Sequence, residues 1–297
     1  KEDPLAADYL SFIACITGEN IPRSLLLPGS GRVVTMEAIG TLGAYAFVTE
    51  RSGAQHRERM FDMHRLVRLV MHSWLRERQQ WDAWVNKTLT RLVEVVPYGG
   101  HERKEVWTAY LPHAMHVVEL SEVHEAEGRV SLLDRLGCCE QSLGRYNSAD
   151  AAYRKVLERR ERLLGKEHPD TLTSMGHVAA ALSNQGKSVE AEKMHRETLA
   201  LCDKVLGKEH PHTLASMNNV AQALRNQGKY VEAEKMHRET LALREKVLGK
   251  EHPCTLTSVY HLAYTLHQWE QYGEALSLYF RAWIGYQENL GAAHPTT

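Results

Sequence analysis

Apolar residues in the second half of the chain recur in a paired, helical cadence. Between positions 171 and 184 they fall at Leu172, Met175, Val178, Ala179 and Leu182. Steps of three and four line one side of a helix. This first helix is predicted from about Thr171 to Asn184, where Gly186 supplies the C-terminal stop. A second is predicted from Ser188 to Leu206, with small Ala191 allowing close approach and Gly207 ending it. Pro211 then stands where the next helix begins, a place where a missing N–H costs little.

The cadence has a fixed period. LGKEHP starts at Leu164, Leu206 and Leu248, and a weaker LGAAHP starts at Leu290, each 42 residues after the last. A second marker keeps the same period: GRYNSA from Gly144, GKSVEA from Gly186 and GKYVEA from Gly228. EQYGEA from Glu270 holds the register without the glycine. One such hairpin cannot bury its apolar side alone, so the pattern predicts a stack of helix pairs. Glu140 occupies the core position held by Leu182, Leu224 and Leu266, which marks the first unit as atypical.

The first 75 residues have another texture. Helices are predicted over Asp3–Ile16 (Leu5, Tyr9, Phe12, Ile13), Ile21–Leu27 and Met36–Tyr45. Ala46–Glu50 and Met60–Met63 read as paired strands across a polar loop, Ser52–Arg59. A helix over His64–Leu75 follows, its apolar face marked by Leu66, Val67, Val70 and Trp74. Arg76–Pro97 (Trp81, Trp84, Leu89, Leu92) and His101–Leu120 (Trp107, Tyr110, Leu111, Met115, Val118) read as two connecting helices. Aromatics at such spacing point to core. The expected architecture is mainly α: a winged-helix-like subdomain over 1–75, a helical connector over 76–121 and a helical solenoid over 122–297.

Composition narrows the function. There are 36 basic and 37 acidic side chains, a formal net charge of −1, so no general field favours nucleic acid or an anionic membrane. The helix expected over Met36–Tyr45 carries no Lys or Arg, which argues against DNA-backbone binding. No apolar run is long enough to span a bilayer. Five scattered cysteines without CxxC spacing read as reduced thiols, and with no secretory signal a cytoplasmic location is expected. The chain starts at Lys1 rather than Met, which predicts a fragment or processed product.

Catalytic and metal patterns are missing. No GxxxxGK[ST] occurs; ALSNQGKS from Ala181 lacks the first glycine and sits in a helix–helix turn. Most of the seventeen histidines follow the repeat: His168, His210, His252 and His294 in the loop marker, His195 and His237 in the second helices. Copies one repeat apart lie about 10 Å or more from each other, too far to share an ion. His113 and His116, an i, i+3 pair with His101 nearby in sequence, are expected at a surface or interface. No metal site, resident cofactor or enzymatic activity is therefore expected.

The two markers at a 42-residue period resemble the tetratricopeptide family in the longer form seen in kinesin light chains, over about Glu122–Thr297. Upstream, DPLAADYLSFIACI, IPRSLL, AIGTLGAYAFV and FDMHRLVRLV, in that order, resemble the last, winged-helix subdomain of the NB-ARC module of NLR-type (STAND) signalling ATPases, and specifically its fungal branch. The resemblance implies a parent protein that binds ADP or ATP and takes part in signalling or innate immunity. It also implies that His64, after Met63, matches the histidine that contacts ADP in that family, although Arg65 stands where an aspartate is usual. The local reading, a histidine capping a strand–helix junction, is favoured because the P-loop half of such a site is absent here. A kinesin-light-chain-like cargo adaptor is the alternative; it predicts an N-terminal coiled coil, and no sustained heptad is present.

Recognition is expected on the first helices. Units 165–206 and 207–248 differ at nine of 42 positions. Four differences, Thr173/Ala215, Gly176/Asn218, Ala180/Gln222 and Ser183/Arg225, are spaced 3, 4 and 3, on one helix face. By the tetratricopeptide resemblance that face lines the concave, peptide-binding groove. Asn184 and Asn226 add amides; the fourth unit adds Thr257, Tyr260, Tyr264, His267 and Gln268. Amides suit backbone hydrogen bonds and aromatics suit anchors. The expected partners are a peptide or protein in this groove and the parent's nucleotide-binding module. Thr297 lies in phase with Thr255, so the last helix, about Gly273–Leu290, is expected to leave an apolar face for a continuing chain, self-association or another molecule.

Overall fold

The computed structural model describes residues 3–29, 31–51, 58–100 and 104–290. Residues 52–57 of the expected polar loop, His101, and residues 291–297 with His294 and Thr297 lie outside the described residues. The chain forms two compact units, Lys1–Val156 and Leu157–Thr297.

The first unit opens with α1, Pro4–Ala14, started by the Asp3 carboxylate accepting from the Ala6 N–H at 3.1 Å and by Pro4 in the first turn. Then come β1 (Ile21–Pro22), α2 (Arg32–Ala44), β2 (Val48–Arg51), β3 (Met60–Met63) and α3 (Arg65–Glu77). The strands make an antiparallel sheet in the order β1-β3-β2, with Ile21 beside Phe61 and Val48 beside Met63. The helices α4 (Trp81–Val95), α5 (Lys104–Val118), α6 (Glu127–Ser142) and α7 (Tyr146–Leu164) follow. One apolar cluster runs from Ala6 and Phe12 through Leu75, Leu92 and Trp107 to Leu132, Cys139 and Val156. Side chains such as Phe12 and Leu92 are wholly enclosed, each worth about 1.5–3 kcal/mol relative to exposure.

Three expectations change here. The helix expected at Ile21–Leu27 is a two-residue strand and a single 3-10 turn, Arg23–Leu25. Pro22 lacks an N–H and favours an extended residue before it, so Ile21 joins the sheet. The Arg91 guanidinium then binds the carbonyls of Ser24, Leu25 and Leu26 at 2.9–3.3 Å, serving acceptors that a longer helix would have used. Second, α3 is rotated from the expected face: Val67 packs on the core as expected, joined by Met71 and Leu75, whereas Leu66, Val70 and Trp74 are exposed. Third, His113 is no surface residue. It is 1% exposed and bonded to the Thr17 hydroxyl at 2.5 Å and to the Asn20 carbonyl at 3.2 Å, while His116 meets Arg68. Among the described residues no cluster of three or more metal-ligating side chains forms.

The second unit is the helical stack. Its members are α8 (Pro169–Asn184), α9 (Ser188–Leu206), α10 (Pro211–Asn226), α11 (Tyr230–Leu248), α12 (Pro253–Gln268) and α13 (Tyr272–Leu290). Each first helix starts in the same way. His168, His210 and His252 are N-caps whose Nδ1 accepts the N–H two residues on, at 3.1–3.2 Å, followed by Pro in the first turn. Leu172, Val178, Leu182 and their repeats at 214, 220, 224, 256, 262 and 266 are buried. Small Ala191 and Ala233 are fully enclosed. Gly186 and Gly228 take φ of 80° and 77° in the turns, a region that glycine enters without steric cost. Glu270, at the same register, is forced to φ 62°.

The second helices are tied together by charge. Glu192 binds Arg196 at 2.8 Å, and from the next unit Gln227 at 2.7 Å and Lys229 at 3.1 Å. Arg238 spans Glu234 and Glu274. Lys204 pairs with Glu167 and Lys246 with Glu209.

Candidate peptide-binding face

The recognition residues expected from sequence come to lie on the first helices of the second unit. On α8, Thr173, Gly176, Ala180 and Ser183 are half-buried and Asn184 is exposed. On α10, Ala215 and Asn226 are exposed and Gln222 and Arg225 half-buried. Asn218 departs from the expectation of an open amide: it is 5% exposed and its Oδ1 has no hydrogen-bond partner. The reason lies in packing, because α10 is covered by α9 and α11 and touches α8 and α12 as well. On α12, Tyr260, His267 and Gln268 are exposed, Tyr264 half-buried, and Thr257 is bonded to the Tyr286 hydroxyl at 2.9 Å.

Of these residues Arg225, Asn226, Tyr260, Tyr264 and His267 come together in one aromatic cluster, and those on α8 do not join it. The Arg225 guanidinium lies over the Tyr264 ring, 4.7 Å from its centre, a stacking that suits a weakly hydrated planar cation. Tyr264 is parallel to Tyr260 at 6.4 Å. Tyr279 from α13 approaches Tyr260 at 5.6 Å and His267 at 6.1 Å, and Tyr272 meets His267 at 5.7 Å. Arg225 also bonds Asn226 Oδ1 at 3.0 Å. Burial works against its charge and lowers its pKa, with the surrounding tyrosines acting in the other direction. An aromatic cluster carrying one cation can hold an extended chain by ring contacts, by hydrogen bonds and by charge.

Sequence reasoning missed what stands behind this surface. His237 of α11 is fully buried, and its ring is parallel to that of His261 of α12 at 6.2 Å. Arg244, also buried, donates to the Cys254 carbonyl at 2.6 Å and the Ser258 hydroxyl at 2.9 Å. His237 lies in VEAEKMHRETLAL, which is identical in both units, so comparing repeats could not flag it. The change from Cys202 to Arg244 was a readable signal.

His64, in the first unit, is the N-cap of α3, its Nδ1 accepting from the Leu66 N–H at 3.2 Å.

Comparison with known proteins concerns the repeats. Residues 128–204 and 213–253 match two models of the tetratricopeptide repeat. The repeats, which begin with α6 and α7 and fill the second unit, are therefore of the tetratricopeptide type, in a mainly α chain. Over 177 residues, 59% of the chain, it is 39% identical to a nucleotide-binding leucine-rich repeat (NLR)-like protein of Hyaloscypha variabilis. The match spans 17% of that protein's length. Among solved structures, the Rap protein complexed with competence and sporulation factor aligns with a TM-score of 0.52 and 14% identity, over 75% of this chain and 63% of the other, a likeness of fold. The nearly identical TPR-like repeats of a Podosopora anserina protein described as a kinesin light chain align at 26% identity and a TM-score of 0.47, covering 75% and 97%. Among the described residues no helix is long and apolar enough to cross a membrane.

Proposed function

We propose that this chain is a non-catalytic protein-interaction scaffold, the sensing and regulatory repeat region of a fungal NLR-like signalling ATPase. A peptide or protein segment binds in the concave groove formed by the first helices. The observation that carries the reading is the coincidence of two things on one face. The near-identical units 165–206 and 207–248 differ there, and Arg225, Tyr260, Tyr264 and His267 assemble there. The 39% identity to an NLR-like protein supports the parent's class. In that setting 1–75 is the end of the nucleotide-binding module, and ligand in the groove shifts the balance between two packings of module and solenoid.

The test is selection of binders from a displayed random-peptide library, followed by exchange of groove residues. Gln222→Ala with Arg225→Ser restores the residues found at the same register in the preceding unit, so folding is preserved; Asn218 is left in place because it is buried. The expected result is about tenfold weaker binding, while Lys235→Ala on the exposed second-helix face has no effect. Loss of binding with Lys235→Ala and none with the double exchange contradicts the assignment.

A further inference from the structure

One junction of the solenoid is chemically unlike its neighbour. Three of the nine differences between units 165–206 and 207–248 change charge, and all move towards positive: Asp170 becomes His212, Ser183 becomes Arg225, and Cys202 becomes Arg244. Neither α10 nor α12 contains an aspartate or glutamate. On the second helices Arg196, Arg238 and Arg281 each meet a carboxylate. Arg225 meets an amide and an aromatic ring, and Arg244 a carbonyl and a hydroxyl. Buried within electrostatic reach of both guanidinium groups is His237, with neither ring nitrogen hydrogen-bonded. Buried polar groups in proteins are nearly always paired, so one left over asks for a reason. At the equivalent place one unit earlier, His195 has Asn219 at the register that His261 fills here.

We propose that the α10–α12 junction binds a carboxylate of an acidic peptide segment at Arg225, and that the His237–His261 pair takes up a proton when it does. The proposal rests on the groove reading above and adds the ligand's charge and its regulation. The groups facing the pair are Arg225 from α10, Arg244 from α11, and Tyr260 beside His261 on α12, with Tyr279 of α13 against Tyr260. Without ligand the pair is neutral. Burial first, then the two arginines, lower His261 to about 4; burial, His261 and the same arginines lower His237 to about 3. A carboxylate on Arg225 cancels the larger of the two arginine influences on the pair. The bound form then holds its proton at higher pH than the free form. Linkage requires affinity to rise as pH falls through that bound-state value.

The test uses a rhodamine-labelled hexaglutamate peptide and fluorescence anisotropy from pH 7.5 to 5.5, a range in which glutamate (pKa ≈ 4.3) stays ionised. The wild-type affinity should rise about fivefold or more across it, with proton uptake seen as a buffer-dependent binding heat. Arg225→Ser should weaken binding about tenfold at both ends. His261→Asn should bind the peptide but lose the pH slope. Both substitutes occupy the same registers in the neighbouring unit (Ser183, Asn219), and circular dichroism checks that they fold. A flat wild-type profile, a slope that survives His261→Asn, or no hexaglutamate binding at any pH overturns the proposal. None of these results touches binding of library-selected peptides, which tests the groove by itself.

Discussion

At the scale of single residues, Glu270 shows what the repeat asks of its turn. Glycine fills that register at Gly144, Gly186 and Gly228, with φ between 75° and 80°; Glu270 takes φ 62° with a side chain present. Left-handed backbone costs a non-glycine residue about 1 kcal/mol. Glu270→Gly is therefore expected to raise stability by about 0.5–1 kcal/mol, read from urea denaturation; a loss of stability would show that the side chain contributes more than the strain removes. The buried histidines act in the opposite sense. His113, His195 and His261 are lowered to about 4 and His237 to about 3, with burial the largest cause in each. A histidine held neutral by the fold contributes stability above its unfolded value near 6.5, and that contribution is lost as pH falls towards the folded value. Stability should drop steeply between about pH 6.5 and 4. His195→Gln should flatten that drop, and a profile level down to pH 4.5 would contradict the picture.

Among elements, the stack is held outside its apolar core by a charged seam on the second helices. Burial alone would raise the Glu192 carboxyl; hydrogen bonds from Arg196, Gln227 and Lys229 outweigh it and hold it at about 2. Two of those partners belong to the following unit, so Glu192→Gln should cost about 2 kcal/mol and loosen α10 and α11 in hydrogen exchange. Protection unchanged in both helices would mean that the seam is ornamental. The seam stops at α13, where Leu276 and Phe280 occupy the registers of Glu234 and Arg238 and stand exposed with Trp283.

This scale also explains what could be read in advance. Two markers at a constant period placed α9 on its observed ends, Ser188 and Leu206, because glycine and proline mark helix ends by mechanism. The atypical first unit was legible too: Glu140 is indeed enclosed, 4% exposed, with Arg145 at 3.5 Å. The Ile21 strand was not, since its reason is a pairing with Phe61, forty residues away. Nor was the direction of α3, which carries two apolar stripes, Leu66/Val70/Trp74 and Val67/Met71/Leu75. Periodicity shows that a stripe exists; tertiary packing decides which one goes inside. The His237–His261 pair was hidden because its members sit on different helices and only the fold brings their rings together.

At the scale of the whole molecule, an apolar cluster in the first unit continues from α1 into the first helix pair of the repeats, and the following helix pairs make up the second unit. The chain has no GxxxxGK[ST] sequence, and under the proposed scaffold reading it does not hold nucleotide. Calorimetry with ATP and magnesium should show no binding in the micromolar range; a micromolar Kd would contradict the assignment of the chain as scaffold alone. Under the proposed function, ligand recognition belongs to the first helices. It is tested most directly by a crystal structure of the chain bound to the tightest library-selected peptide. Contacts to Gln222, Arg225, Tyr260 and Tyr264 along α10 and α12 are expected. A peptide seated on the outer faces of α9, α11 and α13, with Arg225 still stacked on Tyr264 and untouched, would contradict that reading.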